Sequence, residues 1–183
     1  MRVRTAIGWV LLIAAGTAFA ALAAPQTKED HDPKITDVQG FQRILQEHKG
    51  RPLLVTFWAT YCEPCRDEYP MLNELAKQYE PKGLQVVGVS LDDDGDMILV
   101  RRFLARYKPI FPNYRNRPAE QAEFRAFTQS VMTGWNGTLP ASFFYDRDGR
   151  QVGHFIGEKT REQYEEAIRG LLAAGGGTVS QSK

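Results

Sequence analysis

Two cysteines are all that the 183-residue chain contains, and they lie three positions apart. One pair cannot build the disulfide framework of a small stapled fold, nor a four-sulfur zinc site without other ligands. Histidine is equally scarce, with His31, His48 and His154 the only imidazoles. An excess of one charge is missing too, since 23 Lys and Arg face 22 Asp and Glu, for a formal net charge of +1. That balance argues against a nucleic-acid binder and against an acidic solvating tail. Repeats are absent. What is left is an ordinary globular composition, 43% hydrophobic and 11% aromatic, long enough for one well-cored domain and too short for two large ones.

A long apolar, uncharged stretch lies at the N-terminus. Arg2 and Arg4 precede residues 5–24, which carry no charge, and Ala21-Leu22-Ala23 fits a small-x-small cleavage site. Residues 1–23 read as a secretory signal peptide, with Ala18-Phe19-Ala20 as a second cleavage option. About 20 apolar residues also suffice for an uncleaved anchor; the many alanines and the small-residue ending favour cleavage. No cysteine follows, so a lipid anchor is not expected. Loss of the segment removes both arginines and takes the charge from +1 to −1. The mature chain is expected in an oxidising periplasmic or other extracytoplasmic compartment, soluble or tethered. Residues 24–35 are polar and Pro-bounded and read as a linker, 36–173 as the globular domain, and 174–183 as a disordered tail.

Within the domain, apolar runs and helical stripes alternate. Val38, Phe41, Ile44 and Leu45 predict a helix capped by Thr36 or Asp37 and ended by Gly50. Leu53 to Trp58 is a continuous apolar run with one hydroxyl, as expected of a strand buried on both faces, and Gln85 to Leu91 is another. Tyr69, Leu72, Leu75, Ala76 and Tyr79 mark the helix between them. Asp92-Asp93-Asp94 closes the second strand and can cap a helix marked by Val100, Phe103, Leu104 and Tyr107. Phe111 to Tyr114 is expected as a short edge strand, because Pro112 argues against a central place. A helix over residues 119–132 follows, then a hairpin of 141–145 and 151–156 around Asp146-Arg147-Asp148-Gly149. The last helix opens with a capping box, Thr160 to Gln163. The order predicts an α/β fold: a central mixed sheet, helices on both faces, and a C-terminal antiparallel hairpin.

Chemistry is concentrated in Cys62-Glu63-Pro64-Cys65, which follows a buried strand and opens a helix. At a helix N-terminus, unpaired N–H groups and the dipole favour an anion, so the first sulfur becomes a usable thiolate. Pro64 suits the first turn, and Cys65 lies a turn deeper, able to close a disulfide. A static disulfide or half of a metal site are the bland readings. For the latter His31 and His48 read as solvated, and His154 as a surface or packed residue.

The segment Val55 to Pro70, Val-Thr-Phe-Trp-Ala-Thr-Tyr-Cys-Glu-Pro-Cys-Arg-Asp-Glu-Tyr-Pro, resembles the active-site segment of thioredoxin-fold proteins. Within them it is similar to the TlpA/ResA/DsbE branch of extracytoplasmic thiol–disulfide oxidoreductases. Pro70 stands where that fold kinks its active-site helix, and Thr138-Leu139-Pro140 matches its cis-proline loop. The resemblance spans residues 36–173 and implies a thioredoxin fold. Two departures stand out. Tyr61 replaces the usual Trp, and Thr56 stands where cytoplasmic thioredoxins bury a carboxylate. Glu63 is then the nearest replacement proton acceptor for the deeper cysteine. Glu68 is a second candidate, expected to face solvent. Residues 115–137 exceed the family minimum and suggest either a substrate-facing lid carrying Trp135 or an extra surface helix.

The resemblance implies a protein-disulfide reductase. Cys62 attacks and Cys65 resolves, Glu63 and Pro140 assist, and Tyr61, Trp58, Leu139 and Thr138 contact the client. It implies no metal and no cofactor beyond the Cys62–Cys65 redox couple. Implied partners are disulfide-bearing exported proteins, of the cytochrome c or oxidase assembly type, and a membrane thiol donor of the DsbD/CcdA type. The alternative is a module that holds a client or copper through the same pair without turnover. A peroxidase would need a cysteine in another context.

Overall fold

The computed structural model describes residues 32–118 and 120–173. The signal-peptide or anchor reading of 1–23, most of the linker reading and the tail reading of 174–183 lie outside these residues. Two apolar strands, β2 (Leu53–Trp58) and β3 (Gln85–Ser90), lie almost wholly buried at the centre of the sheet, as parallel strands covered on both faces must. They pair in parallel from Leu53–Gln85 to Trp58–Ser90. Outward from β3 run β4 (Asn113–Asn116) and β1 (Lys34–Thr36), both parallel. On the other side β5 (Ala141–Tyr145) and β6 (Gln151–Ile156) run antiparallel, giving the order β1-β4-β3-β2-β5-β6.

Alternation along β2 sends Leu54 and Trp58 to one face and Leu53, Val55 and Phe57 to the other. The first face packs helices α2 (Glu63–Tyr79), α3 (Met97–Tyr107) and α5 (Arg161–Ala173) through Tyr69, Phe103 and Tyr164. The second packs α1 (Val38–Glu47) and α4 (Gln121–Val131) through Phe41, Ile44, Phe127 and Val131. This is the expected α/β thioredoxin-like arrangement. The capping box forms as read, with Thr160 N donating to Gln163 Oε1 at 2.9 Å. Asp37 caps α1 by accepting from Gly40 N at 2.6 Å. Among the described residues no helix is long and apolar enough to cross a membrane.

Three expectations need correction. The stretch read as linker up to residue 35 ends in strand β1, which pairs Lys34–Thr36 with Tyr114–Asn116; three residues are too few to show a strand pattern in sequence. The strand expected at the sheet edge lies instead between β3 and β1 and begins after Pro112. The missing proline N–H costs nothing there, while its carbonyl accepts from Gly88 N at 3.0 Å. Of the two readings of residues 115–137 the extra helix is the one that forms, as α4, and the lid does not: Trp135 follows the helix as a core residue. It is 2% exposed, edge-on to Phe57 (4.7 Å between centroids) and Phe143 (5.1 Å) in the second core.

Candidate active site

Cys62 is the N-cap of α2, where β2 hands the chain to the helix, and its Sγ accepts the Cys65 N–H at 3.3 Å. The sulfur thus sits at the positive end of a 17-residue helix, among its unpaired donors. Cys62 and Cys65 form a disulfide with a Cα separation of 5.3 Å. Cys62 is 8% exposed and Cys65 2%, so an incoming group reaches the Cys62 sulfur more readily. Glu63 and Tyr61 beside it are open to solvent. Partial burial raises the Tyr61 phenol above its usual value, and Asp92, Asp93 and Asp96 add to the effect.

No carboxylate stands at Thr56, but a buried one is present on the helix. Glu68, expected to face solvent, is 4% exposed on the buried stripe of α2, one turn beyond Cys65. At (i, i+3) spacing their Cβ atoms are neighbours, about 5–6 Å apart in a regular helix. Glu68 accepts from Lys159 N at 2.5 Å and from the Tyr164 hydroxyl at 3.3 Å, and that hydroxyl also meets Ser142 Oγ at 2.9 Å. Burial pushes its carboxyl up to about 7; the bonds from Lys159 and Tyr164 pull the other way. Glu63, exposed at the helix start, lacks that buried position. The loop after β6 and the α5 tyrosine that enclose Glu68 are some 90 residues away in sequence, so its burial had no local signal.

On the other side of the disulfide the Leu139–Pro140 bond is cis and leads into β5. Because Ala141 pairs with Phe57, Pro140 lies at the same end of the sheet as the Cys62 turn. Its carbonyl accepts from Gly157 N at 2.8 Å. Leu139 packs against both cores, Pro140 is buried and Thr138 is exposed. Trp135 holds this loop, donating from Nε1 to the Thr138 carbonyl at 3.0 Å, and Asn136 Oδ1 takes the Thr138 N–H at 3.1 Å. Trp58, expected to touch a client, does not reach the surface. It is 1% exposed, stacked on Phe103 at 4.2 Å, with Nε1 bonded to Asn113 Oδ1 at 3.1 Å. The same oxygen accepts from the Tyr69 hydroxyl at 2.9 Å, so Trp58 braces the end of β2 against α2 and β4.

Tyr61, Asp93, Glu120 and Phe124 border an open groove of about 340 Å³ beside the Cys62 turn. His154 stacks on Phe143 at 6.3 Å, and His48 meets the Ile44 carbonyl through Nδ1 at 2.7 Å. Among the described residues no group of three or more His, Cys, Asp or Glu is placed to hold a metal ion.

Known proteins agree with this geometry. The AhpC/TSA family matches residues 23–152. A thiol-disulfide oxidoreductase ResA from Bacillus cereus is 36% identical over 138 residues, 75% of this chain and 73% of the relative. The ResA of Geobacillus kaustophilus is 29% identical over 177 residues, covering 92% and 94%. Among solved structures, a thiol:disulfide interchange protein of the thioredoxin family from Chlorobium tepidum superposes with a TM-score of 0.57 at 26% identity, covering 69% of this chain and 83% of that one. A redox-paired Cys62–Cys65 at the head of α2 and relatives that span most of the domain lead to one conclusion: the chain belongs to the AhpC/TSA family of thioredoxin-like proteins and is a thiol–disulfide oxidoreductase similar to ResA.

Proposed function

We propose that the protein is an extracytoplasmic reductase of disulfides in exported client proteins, of the cytochrome c or oxidase assembly type. The observation that carries the direction of electron flow is the company of the disulfide: Glu63 between the sulfurs at the surface and buried Asp92 under the turn that leads to Cys62. Both carboxylates disfavour a second negative charge on Cys62 and so oppose the helix dipole. A couple whose thiolate is not strongly stabilised is a reductant, since stabilising the reduced form is what makes an oxidant. The compartment is supported by the charge-free stretch over residues 5–24 and its small-residue ending.

In the reaction, the Cys62 thiolate attacks one sulfur of a client disulfide. The client S–S bond breaks, a client thiolate leaves, and a Cys62–client disulfide forms. Cys65 gives its proton to Glu68, whose carboxyl near 7 suits transfer at neutral pH, and attacks Cys62 Sγ. The second client thiolate departs, the Cys62–Cys65 bond closes, and two electrons have passed to the client. Tyr61, Leu139 and Thr138 face the client, and Pro140 offers no N–H to compete for its backbone. A membrane thiol donor of the DsbD/CcdA type restores the dithiol.

Equilibration with glutathione tests the assignment. The expected potential lies nearer that of thioredoxin, about −270 mV, than that of the oxidase DsbA, about −120 mV. A gap of ~150 mV is ~7 kcal/mol for two electrons, at about 1.4 kcal/mol per 30 mV, too large for Tyr61 or Thr56 to reverse. A value at or above about −150 mV overturns the reductase assignment.

A further inference from the structure

Where β2 leaves the sheet its backbone ladder ends, with Leu91 N donating to the Trp58 carbonyl at 2.9 Å. Two residues on, the Thr60 N–H meets a side chain instead of a strand: both Asp92 carboxylate oxygens lie 3.0 Å from it. Thr60 Oγ1 donates to Oδ1 at 2.5 Å and Ser90 Oγ to Oδ2 at 2.6 Å. Ser90 Oγ also accepts the Asp92 N–H at 3.0 Å, which leaves its proton for the carboxylate. Asp92 is 1% exposed and Ser90 fully buried. Three donors converging on two oxygens suit an ionised carboxylate, which only accepts; a protonated one would set its own O–H against a donor.

The nearby cation does not neutralise it by contact. Arg115 directs Nη1 to the Asp92 backbone carbonyl at 3.2 Å and Nη2 to Asp94 at 2.6 Å. The field of Asp92 reaches along the turn, because Tyr61, between Thr60 and Cys62, is among the groups it acts on. Cys62 N in turn donates to the Ala59 carbonyl at 3.2 Å, so the peptide segment that Asp92 grips is the one that orients Cys62.

We propose that Asp92 is a positioning residue of the exchange reaction: its buried carboxylate fixes the turn from Ala59 to Cys62, and its negative charge keeps the Cys62–Cys65 couple reducing. The proposal rests on Cys62 being the attacking sulfur. It separates two contributions, because an asparagine keeps an acceptor for Thr60 N but no charge, whereas an alanine keeps neither.

The test uses the purified protein, with glutathione as redox partner and glutathione disulfide as the small exchange substrate. Asp92→Asn and Asp92→Ala should both move the equilibrium with glutathione about tenfold towards the dithiol, ~30 mV more oxidising for a two-electron couple. Only Asp92→Ala should also exchange several-fold more slowly than Asp92→Asn, having lost the grip on Thr60. Ser90→Ala serves where the neutral variants fail to fold. It strips one donor from the anion, leaves the charge less compensated, and should move the equilibrium a few-fold the opposite way, towards the disulfide. A folded neutral variant within about twofold of the wild-type equilibrium overturns the proposal, as does Ser90→Ala with no shift or a shift towards the dithiol. A wild-type protein inert to glutathione would instead remove the exchange reading itself, whatever Asp92 does.

Discussion

At the scale of single residues, two glutamates near the disulfide do opposite things. Glu63 is exposed between the two cysteines, and in the proposed reductase its charge opposes a thiolate on Cys62. Glu63→Gln should lower the Cys62 pKa and make the protein more oxidising, read as faster alkylation at neutral pH and a less negative potential. No change in either would assign the reducing character elsewhere. Glu68 is buried, with its carboxyl up at about 7 against an ordinary 4.5. Its folded-state value is raised, so the proton stabilises the fold. That stabilisation is complete below about 4.5 and is lost as pH rises through about 7, amounting to about 3 kcal/mol. Urea unfolding of the oxidised protein should therefore show Glu68→Gln flattening the fall in stability between about pH 5 and about pH 8. An unchanged slope would mean that Glu68 is ionised at no cost in the fold.

The elements explain how far the sequence could be read. Long apolar runs made β2 and β3 legible because these strands are buried on both faces, and helical stripes made α2, α3 and α5 legible because each helix buries one stripe against one face of the sheet. The Cys-Glu-Pro-Cys segment was legible for the same local reason: strand, turn and helix start are contiguous. What stayed hidden depends on distant partners. Strand β1 exists only through pairing with β4, and Glu68 is buried only because Lys159 and Tyr164 fold over it. Asp92 read as a strand end and cap, but acts through Thr60, 32 residues earlier. Trp135, in a segment that reads as a lid or an extra surface helix, is a core residue whose indole also fixes the loop before Pro140. Trp135→Ala should cost about 3–5 kcal/mol of stability by leaving a cavity against Phe57 and Phe143. A loss under about 1 kcal/mol in thermal or chemical unfolding would show that the segment is not part of the core. Gly88 marks another close approach. An added Cβ would sit 2.2 Å from Asn113 Oδ1, the shared acceptor of Trp58 and Tyr69. Gly88→Ala should therefore destabilise the protein and quench-shift the Trp58 fluorescence as that bond breaks; an unaltered emission would place the brace elsewhere.

At the scale of the whole molecule, the fold delivers one working edge. The C-terminal ends of β2 and β3, the head of α2 and the loop before β5 all meet where the sulfurs lie. Everything assigned to that edge follows from a division of labour between Cys62, the more exposed sulfur, and Cys65, one turn deeper. Trapping measures it directly. Cys65→Ala leaves the attacking sulfur without a resolver, and Cys62→Ser leaves a resolver without an attacker. Non-reducing electrophoresis of each variant, incubated with disulfide-bearing protein, should show mixed disulfides accumulating on Cys65→Ala and not on Cys62→Ser. Equal trapping by both variants, or trapping by neither, would contradict it.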